Sequence, residues 1–597
     1  MAVTDSRPLE VEEKNLPEFS VEQALKHVRW LTDNTPNRIS GGGQDAKAAA
    51  YIVDTLNSYG LEASVQEFDT YTSSIGSARL EVLGDELWTP EVRPCLHIEN
   101  TPAEGFEAEL VAVGPGGEED YVGKDVRGKI VLAEVSYSPA TPEKARLAHR
   151  HGAAGMILMN WGRADQDFIP WRALKAVWGN PTRETWEGIP RLFALAVTRR
   201  DGERLKALSL ERKLKIRMHV SGERRWARVG QPVAWLRAPE SSPEADQFVV
   251  VSGHLDAWEP GVTDNATGNA VQLELARVLA QRRAELKRSV VFCFWNGHEI
   301  AEAAGSTYFV DTHWEQLNRS GVAYLNIDSV GMKGADHLVI NSSPELSAAH
   351  LGLPGLPEAG LELRSLQRIG DQSFFGVGVP SIAARHGFPA ELVREWNGAT
   401  LGWWNHTEED TFEQLDESVF AADARFWSAL TWRFLTSTDL PFSAAALVAD
   451  LQERLDSMVA AGESPVALEQ VGAMLASLQQ RAAELDAFQP RNAPDAVQRN
   501  RTLLSLSRAL TSVRATVAGR YGQDSYGLTD LQQPLPLLAP LIRYRELDAR
   551  DPERQLLLTE LLRARQRLTD AVSTAEAALE LFDARVQLGR SDLDEHD

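Results

Sequence analysis

Three apolar runs in this chain each end in residue types that bind divalent cations. VVVSGHLD (249–256) closes on His254 and Asp256, SVVFCFWNGHE (289–299) on His298 and Glu299, and VAYLNID (322–328) on Asp328. Imidazole and carboxylate are zinc-type ligands. Gathered at one place, they suit metal-assisted hydrolysis, in which cations acidify a water and polarise a carbonyl. A lone Asp at a strand end is usually a polar residue meeting solvent. Successive strands ending this way, with His among the residues, point instead to a metal site.

The elements that must position these residues can be read around them. Between the first two runs, GVTDNATGNAVQLELARVL (261–279) reads as a loop carrying Asp264, then an amphipathic helix with Val271, Leu275, Val278 and Leu279. Strand, helix, strand is the pattern of a parallel sheet. In such sheets ligands bind outside the carboxyl ends of the strands. Further on, GDQSFFGVGVPSIAARHG (370–387) predicts a turn bearing Asp371, then a buried strand after Pro380. Arg385 and His386 follow it, within reach of a substrate carboxylate. LGWWNHTEEDTFEQLD (401–416) puts His406 in a polar loop behind Trp403 and Trp404, which could wall a substrate pocket. Thr407 with Glu408, Glu409 and Asp410 then reads as a helix start.

The rest of the chain divides by texture. Residues 1–16 are polar and expected to be loose. Residues 17–74 form the first part of the site-bearing domain: a short helix (VEQALKHVRWLT), a second with Ala49, Ile52, Val53 and Leu56 that Gly60 ends, and the alternating strand LEASVQEFD. Residues 75–222 change to short β-type runs between Gly and Pro, with one helix–strand unit in which Thr141 caps and Pro142 follows. Trp-rich 161–190 reads as an irregular excursion. His149 and His151 flank a helix end, in a helix-dipole or solvated role. Residues 223–440 carry the site, and 441–597 are helical by pattern. Stripes run through Leu451, Leu455, Met458 and Val459, then Leu468, Val471, Leu475 and Leu478, then Val497, Leu504 and Leu506. A last helix spans about 552–588, with Gly589 beyond it. The fold class is therefore α/β: a mixed sheet flanked by helices, an inserted β-rich domain and a C-terminal helical bundle.

The 597 residues carry a formal net charge of −24, which argues against nucleic acid or anionic membrane as a partner. Two cysteines, Cys95 and Cys293, imply no disulfide framework, and Cys293 sits in an apolar strand as a small core residue. No apolar run reaches membrane-span length and the first residues lack a signal-type apolar stretch, so a cytoplasmic location is the expectation.

Taken together, HLDAWEPGVTDNATG, NID at 326–328, GDQSFFGVGVPS and NHTEEDT resemble the metal motifs of the M28 metallopeptidases. DVRGKIVLAEV with KARLAHRHGAAGMILMN resembles a protease-associated (PA) domain. A PA domain inserted in the peptidase domain, with helices after it, is similar to the glutamate carboxypeptidase and transferrin receptor branch. The resemblance implies two divalent ions, zinc by preference. Asp264 would bridge them, His254 and Asp328 would complete one site, and Glu299 and His406 the other. Asp256 would orient His254. It also implies an amide- or peptide-cleaving activity on a peptide or small molecule, and a homodimer through the C-terminal helices.

The sequence departs from the family pattern at two places. Where the family has Glu as general base, alignment from Trp295 places His298, with Glu299 next as ligand; alignment from Gly305-Ser306 would place Ile300, which cannot bind metal, at the ligand position. His298 can move a proton at neutral pH. A further option makes His298 a ligand and Glu299 or Glu302 the base, with His298 and Glu302 on one helical face. Asn405 replaces a carbonyl-polarising tyrosine, and its amide could serve an oxyanion. These departures keep open a lyase or cyclase on the same fold. They also keep open an inactive binding or scaffold protein, against which the retained ligand types argue.

Overall fold

The runs that end in metal-ligand types are neighbouring strands in the computed structural model, which describes residues 16–594 apart from 85–87, 355, 357–359, 367–369 and 527. The expected looseness of residues 1–16 falls almost wholly outside the described residues.

Two helices, α1 (Val21–Asn34) and α2 (Gln44–Ser58), lead into the strand β1 (Glu62–Leu83). Gly60 takes φ 87° after α2, the left-handed conformation that a β-carbon would disfavour. After β2 (Arg93–Pro94) come β3 (Phe106–Gly114), β4 (Ile130–Glu134), α3 (Thr141–Arg150), β5 (Gly155–Met159), β6 (Phe193–Val197) and α4 (Arg199–Glu211). β3 to β6 pair in parallel, in order. The cap of α3 is Ala140 rather than Thr141, which is already helical. The strand β7 (Lys215–Leu236) then returns along β1.

β1 and β7 form an antiparallel ribbon that runs from Glu62 opposite Trp235 to Leu83 opposite Lys215. One end of β7 pairs with β3 and the other with the next sheet. The ribbon therefore crosses both expected boundaries, 74/75 and 222/223, and its single register shift lies between Ser74 and Ser77.

The site-bearing sheet holds β8 (Phe248–His254), β9 (Ser289–Trp295), β10 (Gly321–Asn326), β11 (His337–Ser342), β12 (Leu361–Ser365) and β13 (Ser381–Gly387). Its order is β12-β11-β13-β10-β8-β9-β7, with β8, β9, β10 and β13 parallel and β11 antiparallel to β13. The central strands read as unbroken apolar runs because both faces are covered. Val249, Val251, Val290 and Phe292 join the core beneath α1, α2 and α5 (Thr267–Gln281). Phe248, Val250, Val291 and Cys293 face Phe309 and Leu317 of α6 (Ala304–Ser320). A short α7 (Ala390–Glu395) follows β13, and α8 (Glu417–Thr436) closes the first face.

The C-terminal helices are α9 (Ala444–Ala460), α10 (Leu468–Ala487), α11 (Ala493–Ala515), α12 (Pro540–Glu546) and α13 (Pro552–Asp594). α13 continues past Gly589, which the sequence placed beyond it. Leu451, Leu475, Leu506 and Leu568 share one apolar cluster with the sheet core. Arg508 of α11, fully enclosed, donates to the carbonyls of Leu317, Asn318, Gly321 and Gly378 and so ties the bundle to the base of β10. Among the described residues no helix is long and apolar enough to cross a membrane.

Candidate metal centre

His254 ends β8, and Asp264 lies on the irregular turn 262–266 that starts α5. Glu299 follows β9, Asp328 follows β10, and His406 comes from the loop after α7. The turn at Asp264 is fixed from outside. Asp410 accepts the backbone N–H of Thr263 at 2.9 Å and of Asp264 at 3.0 Å, and the Thr263 hydroxyl at 2.7 Å.

Asp264 stands between two imidazole–carboxylate pairs. Its Oδ1 is 2.9 Å from Nε2 of His254, which is 3.4 Å from Oδ1 of Asp328. Its Oδ2 is 3.1 Å from Nε2 of His406, which is 3.2 Å from Oε2 of Glu299. Oε1 of Glu299 is buried and has no hydrogen-bond partner among the described residues. One donor atom each from His254, Asp264 and Glu299 falls within 4.8 Å of the others, close enough to hold an ion. These donors fit divalent cations of the zinc type.

The protonation pattern follows from the same contacts. Burial opposes charge on His254, but Asp264 and Asp328 outweigh it and hold its pKa well above the ordinary value. His406 is raised too, with burial opposed by the charge of Glu299 and the hydrogen bond to Asp264. Asp264 is held well below the carboxylate range by its two imidazoles, against its burial. These contacts favour protons on the ring nitrogens that would face a cation.

Around these residues lies a set of orienting contacts, some different from expectation. The backbone carbonyl of Asp256, not its carboxylate, takes the Nδ1 proton of His254 at 2.7 Å and leaves Nε2 directed at Asp264. The Asp256 carboxylate is engaged by the backbone N–H groups of His298 (3.1 Å) and Glu299 (3.0 Å) and by Ser40. Asn405 donates to Oδ2 of Asp264 at 2.6 Å, so its amide nitrogen orients a carboxylate rather than pointing at a substrate oxygen. His298 stacks on His254 with ring centroids 4.1 Å apart and sets Nδ1 3.1 Å from Oδ2 of Asp371. Ile300 is fully buried in an apolar cluster with Leu96, Ala173 and Trp258, away from any ligand role.

The segment after His298 is a turn, not a helix, so His298 and Glu302 do not share a helical face. The run 407–410 is also a turn, because the Thr407 hydroxyl donates back to the Trp404 carbonyl. Trp404 is buried beside Phe388 and Trp396 and Trp403 stacks on Phe168, so both tryptophans serve packing and neither lines the cavity. His386 pairs with Asp423, whereas Arg385 does line the cavity.

That cavity, about 1620 Å³, opens over the cluster and is walled by three parts of the chain: residues 117–143, the sheet ends, and the C-terminal helices with the segment after Ala515. Its least legible contributor is the excursion 161–190, which runs as a strap across the site. Trp171 donates its N–H to the His406 carbonyl at 2.9 Å, and Arg172 places Nη1 2.7 Å from Nδ1 of His406. Nε and Nη2 of Arg172 are buried without a partner among the described residues. Arginine only donates, so a neutral His406 cannot both accept from Arg172 and offer Nε2 to a cation. A cation held by Nε2 of His406 would therefore leave Nδ1 protonated and facing the Arg172 donor. Arg172 and Asp410 were not assigned to the site from sequence, whereas Asp371 was expected at the cleft. Only Asp371 carried a signal, a turn aspartate beside a strand.

Residues 236–431 match the model of peptidase family M28, and residues 106–205 match the PA domain. The chain is 24% identical over 507 residues to probable glutamate carboxypeptidase VP8 of Zea mays, covering 71% of this chain and 68% of that protein. It is 26% identical over 422 residues to aminopeptidase YwaD of Bacillus subtilis (strain 168), covering 68% and 82%. Among solved structures, a zinc aminopeptidase from Bacillus subtilis superposes with a TM-score of 0.53 at 20% identity, covering 72% of this chain and 98% of that one. An M28 peptidase precursor from Shewanella amazonensis superposes with a TM-score of 0.55 at 18% identity, covering 70% and 93%. These likenesses extend to the fold.

Proposed function

The chain carries the peptidase domain of family M28 together with a PA domain, and from that premise we propose that it is a zinc-dependent exopeptidase or small-substrate amidase with a two-cation centre. The observation that carries this reading is Asp264, each of whose carboxylate oxygens faces its own imidazole–carboxylate pair. His254 and Asp328 would hold one ion, Glu299 and His406 the other, and Asp264 both. Cations bound there supply an acidified water and a polarised amide carbonyl.

The protein's own groups do the remaining work. The Asp256 carbonyl fixes the tautomer of His254 through Nδ1. Asn405 and Asp410 hold the side chain and backbone of Asp264. Asp371 accepts from Nδ1 of His298; burial and His254 oppose charge on the ring, but Asp371 outweighs them and raises its pKa to about 10, so the doubly protonated ring carries a proton at Nε2 for the leaving nitrogen. Nε and Nη2 of Arg172, without a partner among the described residues, are donors suited to the carboxylate of a short peptide. A cavity walled on three sides favours a peptide end over a folded protein.

Elemental analysis of purified protein, with a screen of dipeptides, blocked dipeptides and aminoacyl anilides, tests this reading. About two zinc ions per chain and release of a free amine and a free acid are expected, both lost in Asp264→Ala. Metal-loaded protein that cleaves no amide would overturn it.

A further inference from the structure

We propose that Glu302 is a second proton-carrying catalytic group, which takes the proton of the attacking water while His298 serves the leaving nitrogen; this rests on the hydrolase reading above. Glu302 lines the same cavity as His298 and Glu299, and its carboxyl forms no hydrogen bond to any described residue.

Its backbone is held in a conformation that side-chain-bearing residues avoid. Glu302 has φ 50° and Ala303 φ 56°, two successive left-handed residues that are not glycine. Such strain persists only where surroundings enforce it, and it concentrates at functional sites. Here the enforcement comes from the strap. Lys175, fully buried, donates to the carbonyls of Ala301 at 2.7 Å and Gly179 at 2.5 Å. Gly179 donates its own N–H to the Glu302 carbonyl at 2.7 Å. Gly179 is itself left-handed (φ 65°), and a β-carbon there would meet Thr307 at 2.5 Å. A residue with a left-handed backbone, gripped at its carbonyl from another part of the chain and lining the cavity with its carboxyl unpaired among the described residues, is not explained by packing.

The charged groups around it are His298, Lys175, Glu299 and Asp371. Burial dominates and pushes the Glu302 carboxyl up to about 8, with His298 and Lys175 opposing. A group so placed can take up and return a proton near neutral pH. In the step, the water oxygen bonds to the carbonyl carbon as one water proton moves to the Glu302 carboxylate. The C–N bond then breaks as the nitrogen takes a proton from His298, and Glu302 returns its proton to His298. Acid and amine leave, and both side chains are restored.

The test compares wild type, Glu302→Gln and Glu302→Asp, each loaded with zinc and checked for equal zinc content and thermal unfolding. The expected result is a kcat lower by roughly 10²–10⁴-fold in Glu302→Gln, with KM nearly unchanged, the acid limb of the kcat–pH profile gone, and partial recovery in Glu302→Asp. In the metal-free protein, infrared difference spectra should show a carboxyl band titrating near neutral pH in wild type and missing from Glu302→Gln. Glu302→Gln with wild-type kcat and an unchanged acid limb would overturn the inference while leaving the hydrolase reading intact. An inactive wild type would remove both.

Discussion

At the scale of single residues, the centre is a competition between protons and cations. His254 and His406 have raised pKa values because carboxylates surround them, and a ring nitrogen must lose its proton to ligate. Zinc affinity should therefore climb with pH through these raised values, and binding should release protons. Titration calorimetry in buffers of different ionisation heat checks this; zinc uptake without proton release would contradict it. The metal-free protein should show the matching linkage. A His whose folded pKa exceeds its unfolded value of about 6.5 contributes stability that is full below that value and lost as pH rises through the folded one. Asp264, depressed below 3.8, contributes stability present above that value and lost as pH falls. The pair therefore stabilises the metal-free fold between the two limits, and zinc takes over its role at higher pH.

At the scale of elements, the centre depends on turns anchored from elsewhere. Asp410 holds the turn that presents Asp264 through three hydrogen bonds. Asp410→Ala should weaken zinc binding by about 10–100-fold, as removal of a ligand's supporting partner usually does, and competition with a chromophoric chelator would measure it. An unchanged affinity would show that the turn holds itself. The contrast with β8, β9 and β10 explains what could be read in advance. Those strands announce themselves because burial on both faces demands unbroken apolar runs, and their ligand-type ends follow directly. Asp410 lies in an acidic run that looks like a helix start, and only the fold brings it to Thr263. Arg172 lies beside a tryptophan that stacks on Trp258, and its own partner His406 is 234 residues away in sequence, so no local pattern marks it. Asp256 was recognised as a supporting residue, but its carboxylate and carbonyl exchange the roles expected because the 298–299 turn has N–H groups to satisfy.

At the scale of the whole molecule, the C-terminal helices are not a separable appendage. Their apolar stripes were legible from sequence, yet the stripes bury against the same core as α1, α5 and α8. Arg508 adds donors to carbonyls at the base of β10, the strand that leads to Asp328. Arg508→Met leaves those carbonyls without their buried donor, at a cost of about 1–3 kcal/mol for each group left unsatisfied. Scanning calorimetry should show the peptidase region and the helices melting together at a lower temperature in the variant, rather than a detached transition for the helices alone.

The strap at 161–190 has a consequence of another kind. It reaches the centre without supplying any of the five proposed ligand residues, yet it sets what stands beside His406 and Glu302. On the proposed reading, metal chemistry and substrate choice are thus written in different stretches of the chain. Inheritance can revise one without disturbing the other, and a descendant with a new strap would keep its reaction while changing its diet.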